Sequence, residues 1–146
     1  MLGTEATNVL KDTALTERTH SLALKIADVT LAEGIDVDGG VYNEGSPAGL
    51  TNTNKEWWPQ AEAVVGFLNA YQISGEERFL RAALHAWDFI EQRLIDRQNG
   101  EWLRGVTREG RPLDGELKIS FWKCPYHNGR TGLESVRRLR AITNLV

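Results

Sequence analysis

The sequence predicts an all-α chain in which helix pairs are joined by long loops carrying short β-hairpins. Three observations lead there. Apolar residues recur at helical spacing in successive segments. Turns bearing glycine and asparagine follow those segments. The whole pattern, helix then acidic turn then glycine then an extended aromatic stretch, returns after about 60 residues. Gly40 and Gly100 mark matching places in that repeat. A single pair of helices cannot bury its apolar stripes, so neighbours are required, and stacked pairs of this kind close into a toroid. The chain holds roughly two and a half such units. It therefore forms a small open bundle, or belongs to a barrel whose remainder lies elsewhere, or is completed by another copy of itself.

Taken in order, residues 15–33 read as an amphipathic helix, with Leu15, Leu22, Ile26 and Val29 on its stripe and Gly34 as its stop. The run Asp36-Val37-Asp38-Gly39-Gly40-Val41-Tyr42 is a turn entering a short extended stretch. Residues 43–53 carry Gly45, Pro47 and Gly49 and read as a loop. A second helix starts near Trp57 or Pro59, since a proline in the first turn forfeits no needed N–H. Its stripe is Ala61, Val64, Val65, Leu68 and Tyr71, and it ends before Gly75. The third spans residues 76–95, opened by Glu76 and Glu77 at the positive end of the helix dipole. Asn99-Gly100 then marks a turn. An extended segment is expected at 117–121, and a last helix from about Gly129 or Thr131.

Composition narrows the function. With 41% hydrophobic and 25% charged residues, the chain resembles an ordinary folded protein. A net charge of -3 gives nucleic acid no electrostatic foothold. The basic cluster Arg137, Arg138 and Arg140 reads as a solvated helix face. A single cysteine, Cys124, allows neither an internal disulfide nor a zinc cluster. No secretory signal is visible at the start, and no apolar run approaches the ~18 residues of a membrane span. A cytoplasmic protein without membrane attachment is expected.

Two segments group chemistry-bearing side chains. In Lys55-Glu56-Trp57-Trp58-Pro59-Gln60-Ala61-Glu62-Ala63, Trp58 and Glu62 lie four apart and share a helix face. An aromatic platform and a carboxylate would there meet one ligand, although a core tryptophan and a paired surface acid would give the same letters. Phe121-Trp122-Lys123-Cys124-Pro125-Tyr126-His127-Asn128-Gly129-Arg130 gathers aromatics, a cation, a thiol and an imidazole. His127 is the acid/base candidate, because imidazole exchanges protons near neutral pH. The bland alternative is a loop histidine with a structural hydrogen bond. His20 and His85 have no acidic or metal-binding company, and the three histidines lack zinc-ligand spacing. Cys124 with His127 lacks the local signature of a cysteine nucleophile. No phosphate-binding glycine loop is present, so no cofactor is expected.

Lys55-Glu56-Trp57-Trp58-Pro59-Gln60-Ala61-Glu62 resembles the K-x-W-W-x-Q-A-E segment of the N-acylglucosamine 2-epimerase family. Trp122-Lys123-Cys124-Pro125-Tyr126-His127-Asn128-Gly129-Arg130 resembles its W-K-C-P-Y-H-N-G-R segment, and Asp38-Gly39-Gly40-Val41-Tyr42-Asn43-Glu44 looks like a further family stretch. The likeness runs from about Leu15 to Leu139 and points to the cellobiose 2-epimerase branch. It implies an (α/α)6 barrel, of which residues 1–146 would be the C-terminal portion of a single domain. At about 60 residues per pair the whole would need roughly 360.

The implied activity is interconversion of glucose- and mannose-type reducing ends at C2, for example of cellobiose to glucosyl-mannose. The ring opens, a histidine takes the C2 proton, a cis-enediolate forms, and a proton returns to the other face after rotation about C2–C3. No metal or nucleotide takes part. Carried over, His127 matches one of two catalytic histidines, and Trp57, Trp58, Glu62 and Trp122 match substrate-binding residues. The second histidine would lie just before residue 1, and an arginine and a further histidine in the absent half. Thr131-Gly132-Leu133-Glu134 departs from the small residues the family favours there, which touches packing more than chemistry. The expected partner is a small sugar, with self-association of the chain through its bare stripes. Two alternatives stand beside this reading: a truncated, non-catalytic carbohydrate-binding fragment, and an aldose–ketose isomerase of the same fold.

Overall fold

The computed structural model describes residues 2–143, which are mostly helical with small hairpins. Helix α1 spans Leu2–Leu10 and α2 spans Thr13–Val29. Asp12 caps α2, its carboxylate accepting the N–H of Leu15 at 2.9 Å. A π-helical turn, Thr30–Gly34, ends α2. Strands β1 (Glu44–Ser46) and β2 (Gly49–Asn52) form an antiparallel hairpin, so residues 43–53 are not the plain loop expected. Strand β3 (Lys55–Glu56) leads directly into α3 (Trp57–Ser74). Gly75 stops α3 in the left-handed conformation, φ 72°, returning its N–H to the Tyr71 carbonyl at 2.8 Å. Helix α4 (Glu77–Phe89) follows and ends in a second π-helical turn, Ile90–Leu94. Strand β4 (Gly105–Val106) pairs with β3, and α5 (Tyr126–Thr143) closes the described chain.

Helix α3 is the centre of the molecule. It contacts α2, α4 and α5, which is why its apolar residues run round the helix instead of along one stripe. Val64, Phe67 and Leu68 pack with Phe79, Ala83 and Phe89 of α4. The Phe67 and Phe79 rings stack at 6.4 Å. Thr131 of α5 is fully buried and donates its hydroxyl to the Ala61 carbonyl at 2.9 Å.

The repeat is real, and one residue out of the expected register. Both units end their first helix in a π-helical turn, about 60 residues apart. The next turn closes by Asp36 N–H to Gly40 O at 2.9 Å in one unit, and by Asp96 N–H to Glu101 O at 3.0 Å in the other. The second turn is one residue longer. Gly100 (φ 72°) therefore matches Gly39 (φ 87°), and Gly40 matches Glu101. Gly40 is glycine because an added Cβ would lie 2.6 Å from the Lys55 stem and 2.8 Å from the Phe89 ring.

Lys55 is fully buried with its ammonium on Asp36 (2.9 Å) and Asp38 (2.7 Å). Arg108, from the second unit, reaches Asp36 at 3.1 Å. Gln60 adds an uncharged tie, accepting the Val41 N–H at 2.6 Å and donating to the Val41 carbonyl at 2.8 Å. Its amide replaces a neighbouring strand for that turn.

Other expectations need correction. Residues 117–121 form no strand: side chains hold them, with Lys118 bound to Asp96 and to the Gly100 carbonyl. Arg138 is not on a solvated face. It is 4% exposed and bonds to Gln72 of α3 and Glu5 of α1. The stripe expected to bury α2 is largely bare, since Leu22, Ile26 and Val29 are each more than half exposed while Ala27 faces α3. On α5, Leu133 and Val136 are similarly exposed. Among the described residues no helix is long and apolar enough to cross a membrane.

Two outcomes are expected. The isolated chain should self-associate through these bare stripes, and static light scattering that returned the mass of one chain would contradict this. Lys55→Met should lower stability by about 3 kcal/mol, because it strips a buried carboxylate of a cation; urea unfolding measures it. Burial alone would raise the Asp36 carboxyl, but Arg108, Lys55 and other hydrogen bonds outweigh it and hold the group well below the usual range. In the unaltered chain that contribution is complete above the ordinary carboxylate pKa of about 4 and fades as pH falls below it toward the lowered value.

Candidate active site

The site is assembled where α3 and α5 begin. Glu62 lies in the second turn of α3, and His127 in the first turn of α5. The sequence suggested a loop for His127, but the helix starts at Tyr126, so His127 and Arg130 stand one turn apart on a shared face. His127 Nδ1 is 3.0 Å from Glu62 Oε1. Arg130 Nη1 donates to both Glu62 oxygens, at 2.7 and 2.8 Å. A carboxylate only accepts, so Nδ1 carries the hydrogen and Nε2 of a neutral imidazole keeps its lone pair. Burial by itself would raise the Glu62 carboxyl, but His127 and Arg130 together hold it below the ordinary glutamate range.

Aromatic rings flank the imidazole, which is half-buried. Tyr126 meets it edge-on at 5.0 Å, Trp57 at 6.4 Å, and Trp58 lies tilted at 6.1 Å. The two tryptophans are adjacent and differ in role. Trp57 is 3% exposed and forms a back wall, with Arg104 and Lys123 over its indole at 5.0 and 5.6 Å. Trp58 is 42% exposed and presents its ring outward. Beside it opens a cleft of about 280 Å³ between α2 and α3, lined by Ile26, Thr30, Trp58, Glu62 and Phe67 among others. A flat ring and a carboxylate thus border the cavity, and the imidazole stands 3.0 Å from that carboxylate, an arrangement suited to holding a small polar ligand and moving a proton on it.

Of the residues singled out from sequence, Trp57, Trp58, Glu62 and His127 come together. Trp122 does not join their ring contacts among the described residues. It is 78% exposed and meets Phe121 edge-on at 4.9 Å. Cys124 is exposed, and His127 Nδ1 is turned to Glu62. Sequence reasoning missed Arg130, because its spacing from His127 carries meaning only on a helix. It also missed fully buried Lys123, which donates to Glu101 at 3.0 Å and to the Lys118 carbonyl at 2.7 Å. The faint signal for Lys123 was its likeness to Lys55, each a lysine just ahead of a site-bearing helix.

Residues 3–128 match the family described as N-acylglucosamine 2-epimerase (GlcNAc 2-epimerase). The chain is 42% identical over 138 residues to a cellobiose 2-epimerase of Ruminococcus albus, covering 91% of this chain and 34% of that protein. A cellobiose 2-epimerase of Dictyoglomus turgidum is 40% identical over 136 residues, covering 92% of this chain and 34% of its own. A crystal structure of a sugar epimerase from a ruminal bacterium superposes with a TM-score of 0.86 at 39% identity, covering 94% of this chain and 35% of that one. The chain thus spans about a third of the length of the curated relatives it matches.

Replacing Arg130 by Gln is expected to raise the Glu62 titration midpoint, since a cation in contact is removed. Carboxyl-carbon NMR reads this directly. An unchanged midpoint would mean that His127 alone holds Glu62 ionised.

Proposed function

The chain belongs to the N-acylglucosamine 2-epimerase family, and we propose that it is the C-terminal portion of a single (α/α)6-barrel domain that epimerises sugars at C2. The barrel reading is supported by the two-helix repeat, by the bare stripes on α2 and α5, and by the share of its relatives that the chain covers. The substrate class is a reducing-end hexose or disaccharide; relatives named cellobiose 2-epimerase support the disaccharide. The protein acts in the cytoplasm.

One observation carries the mechanism: His127 Nδ1 is bound to an ionised Glu62 that Arg130 in turn holds from both oxygens. Nε2 is thereby presented as the proton acceptor. In the open-chain sugar the C2–H proton passes to Nε2, and its bonding electrons form the C1–C2 double bond of a cis-enediolate as the C1 carbonyl oxygen takes up negative charge. Glu62 stabilises the imidazolium formed, while Arg130 keeps the carboxylate in place. Rotation about C2–C3 turns the other face of C2 toward a proton donor, and reprotonation gives the 2-epimer. Trp58 supplies an exposed flat ring for a sugar face, Trp57 closes the wall behind it, and Trp122 stacks on the sugar's far side when the substrate is bound.

A single proton carrier works one face of C2. This chain alone is therefore expected at most to exchange the C2 proton of one epimer, and interconversion to need the longer protein. Proton NMR with cellobiose, glucose and mannose in heavy water follows both processes. In the longer protein, His127→Ala should lower kcat by about 10²- to 10⁴-fold while the fold persists. A folded variant with the normal rate would sink the assignment of His127. Saturable quenching of tryptophan fluorescence by cellobiose, with no C2 exchange in the longer protein, would instead favour a binding module.

A further inference from the structure

Glu101 occupies backbone space that side chains avoid. Its φ is 61°, immediately after Gly100 at 72°. The left-handed region is costly for a residue with a Cβ, and such residues cluster where a side chain is needed in a particular place. In the first unit the matching turn closes on Gly40; in the second it closes on this glutamate.

The side chain has a defined task. Glu101 Oε1 accepts from Lys123 Nζ at 3.0 Å and from Asn128 Nδ2 at 2.7 Å. Lys123 is fully buried, and its ammonium also lies over Trp57. Asn128 is the neighbour of His127 in the first turn of α5. A carboxylate outside the helix thus grips the chain on both sides of His127. Burial would raise this carboxyl, but Lys123, the Trp102 N–H and Asn128 outweigh it and keep it below the ordinary range, so the grip is ionic at neutral pH.

We propose that Glu101 is a positioning residue for His127, fixing the first turn of α5 so that Nδ1 meets Glu62 and Nε2 stays free. Its catalytic meaning rests on His127 being the proton carrier; the positioning itself does not. A mere loop staple would weaken the fold without changing how His127 bonds.

The test reads the imidazole directly, by long-range ¹H–¹⁵N correlation on the labelled chain at pH 8. The unaltered chain should show His127 protonated at Nδ1. Glu101→Gly removes the carboxylate while suiting the left-handed backbone, and should return His127 to mainly the Nε2–H form of a free imidazole, with His20 and His85 unchanged. Glu101→Gln keeps an acceptor oxygen without the charge and should shift His127 part of the way; it carries the test if the glycine variant does not fold. In the longer protein, Glu101→Gly should lower kcat by about 10- to 100-fold with little change in KM, and Glu101→Gln should recover part of it. Lowered thermal stability with the His127 tautomer unchanged in both variants would overturn the inference. The expected tautomer changes in a protein without C2 exchange would uphold it and sink the epimerase reading alone.

Discussion

The structure depends on burying two lysines. Lys55 and Lys123 are both without solvent exposure, and each sits just ahead of a helix that carries a site residue. An ammonium taken out of water must find a carboxylate, because its desolvation penalty otherwise dominates. Lys55 finds Asp36 and Asp38 in the turn after α2, and Lys123 finds Glu101 in the turn after α4. Each charge therefore locks a turn of one helix pair onto the start of the next helix. The positions of Trp57, Trp58 and Glu62 on α3, and of His127 on α5, follow from those locks. A methionine would fill the same volume without choosing a partner.

Within the site one carboxylate has two clients. Glu62 is shared between an imidazole and a guanidinium, and the rings of Trp57, Trp58 and Tyr126 lie around the imidazole. The guanidinium cannot lose its proton, so it keeps Glu62 charged and in place whatever His127 does. His127 is then the partner whose protonation is free to change during a reaction. The cleft beside Trp58 reaches that shared carboxylate, since Glu62 is part of its lining.

Much of this was legible in the sequence. The limits of α3 were readable from Pro59 and Gly75, because a proline and a glycine act locally. The repeat was readable from helix spacing, but its register was not. One extra residue in a turn is invisible until the closing hydrogen bonds are known. The grouping of Glu62 with His127 came from motif likeness, since nothing local says that positions 65 residues apart will meet. Arg130 was hidden because the last helix was expected only from about Gly129 or Thr131, which left His127 outside it, and three-apart spacing has meaning only on a helix. The stripe on α2 was read correctly as apolar and wrongly as buried, since periodicity gives a face and does not supply the neighbour that covers it.

Bonds that cross from one helix pair to the other set this chain apart from a row of beads. The Trp57 N–H binds the Arg104 carbonyl at 2.9 Å, β3 pairs with β4, and Arg108 reaches back to Asp36. Stacked repeats that touch only through packed faces peel away from their ends one at a time. Here the first pair cannot loosen without tearing the loop of the second, and the tear opens at Trp57, the ring beside His127. Cooperativity and function share the same stitches, so partial unfolding would erase the site before it erased the helices.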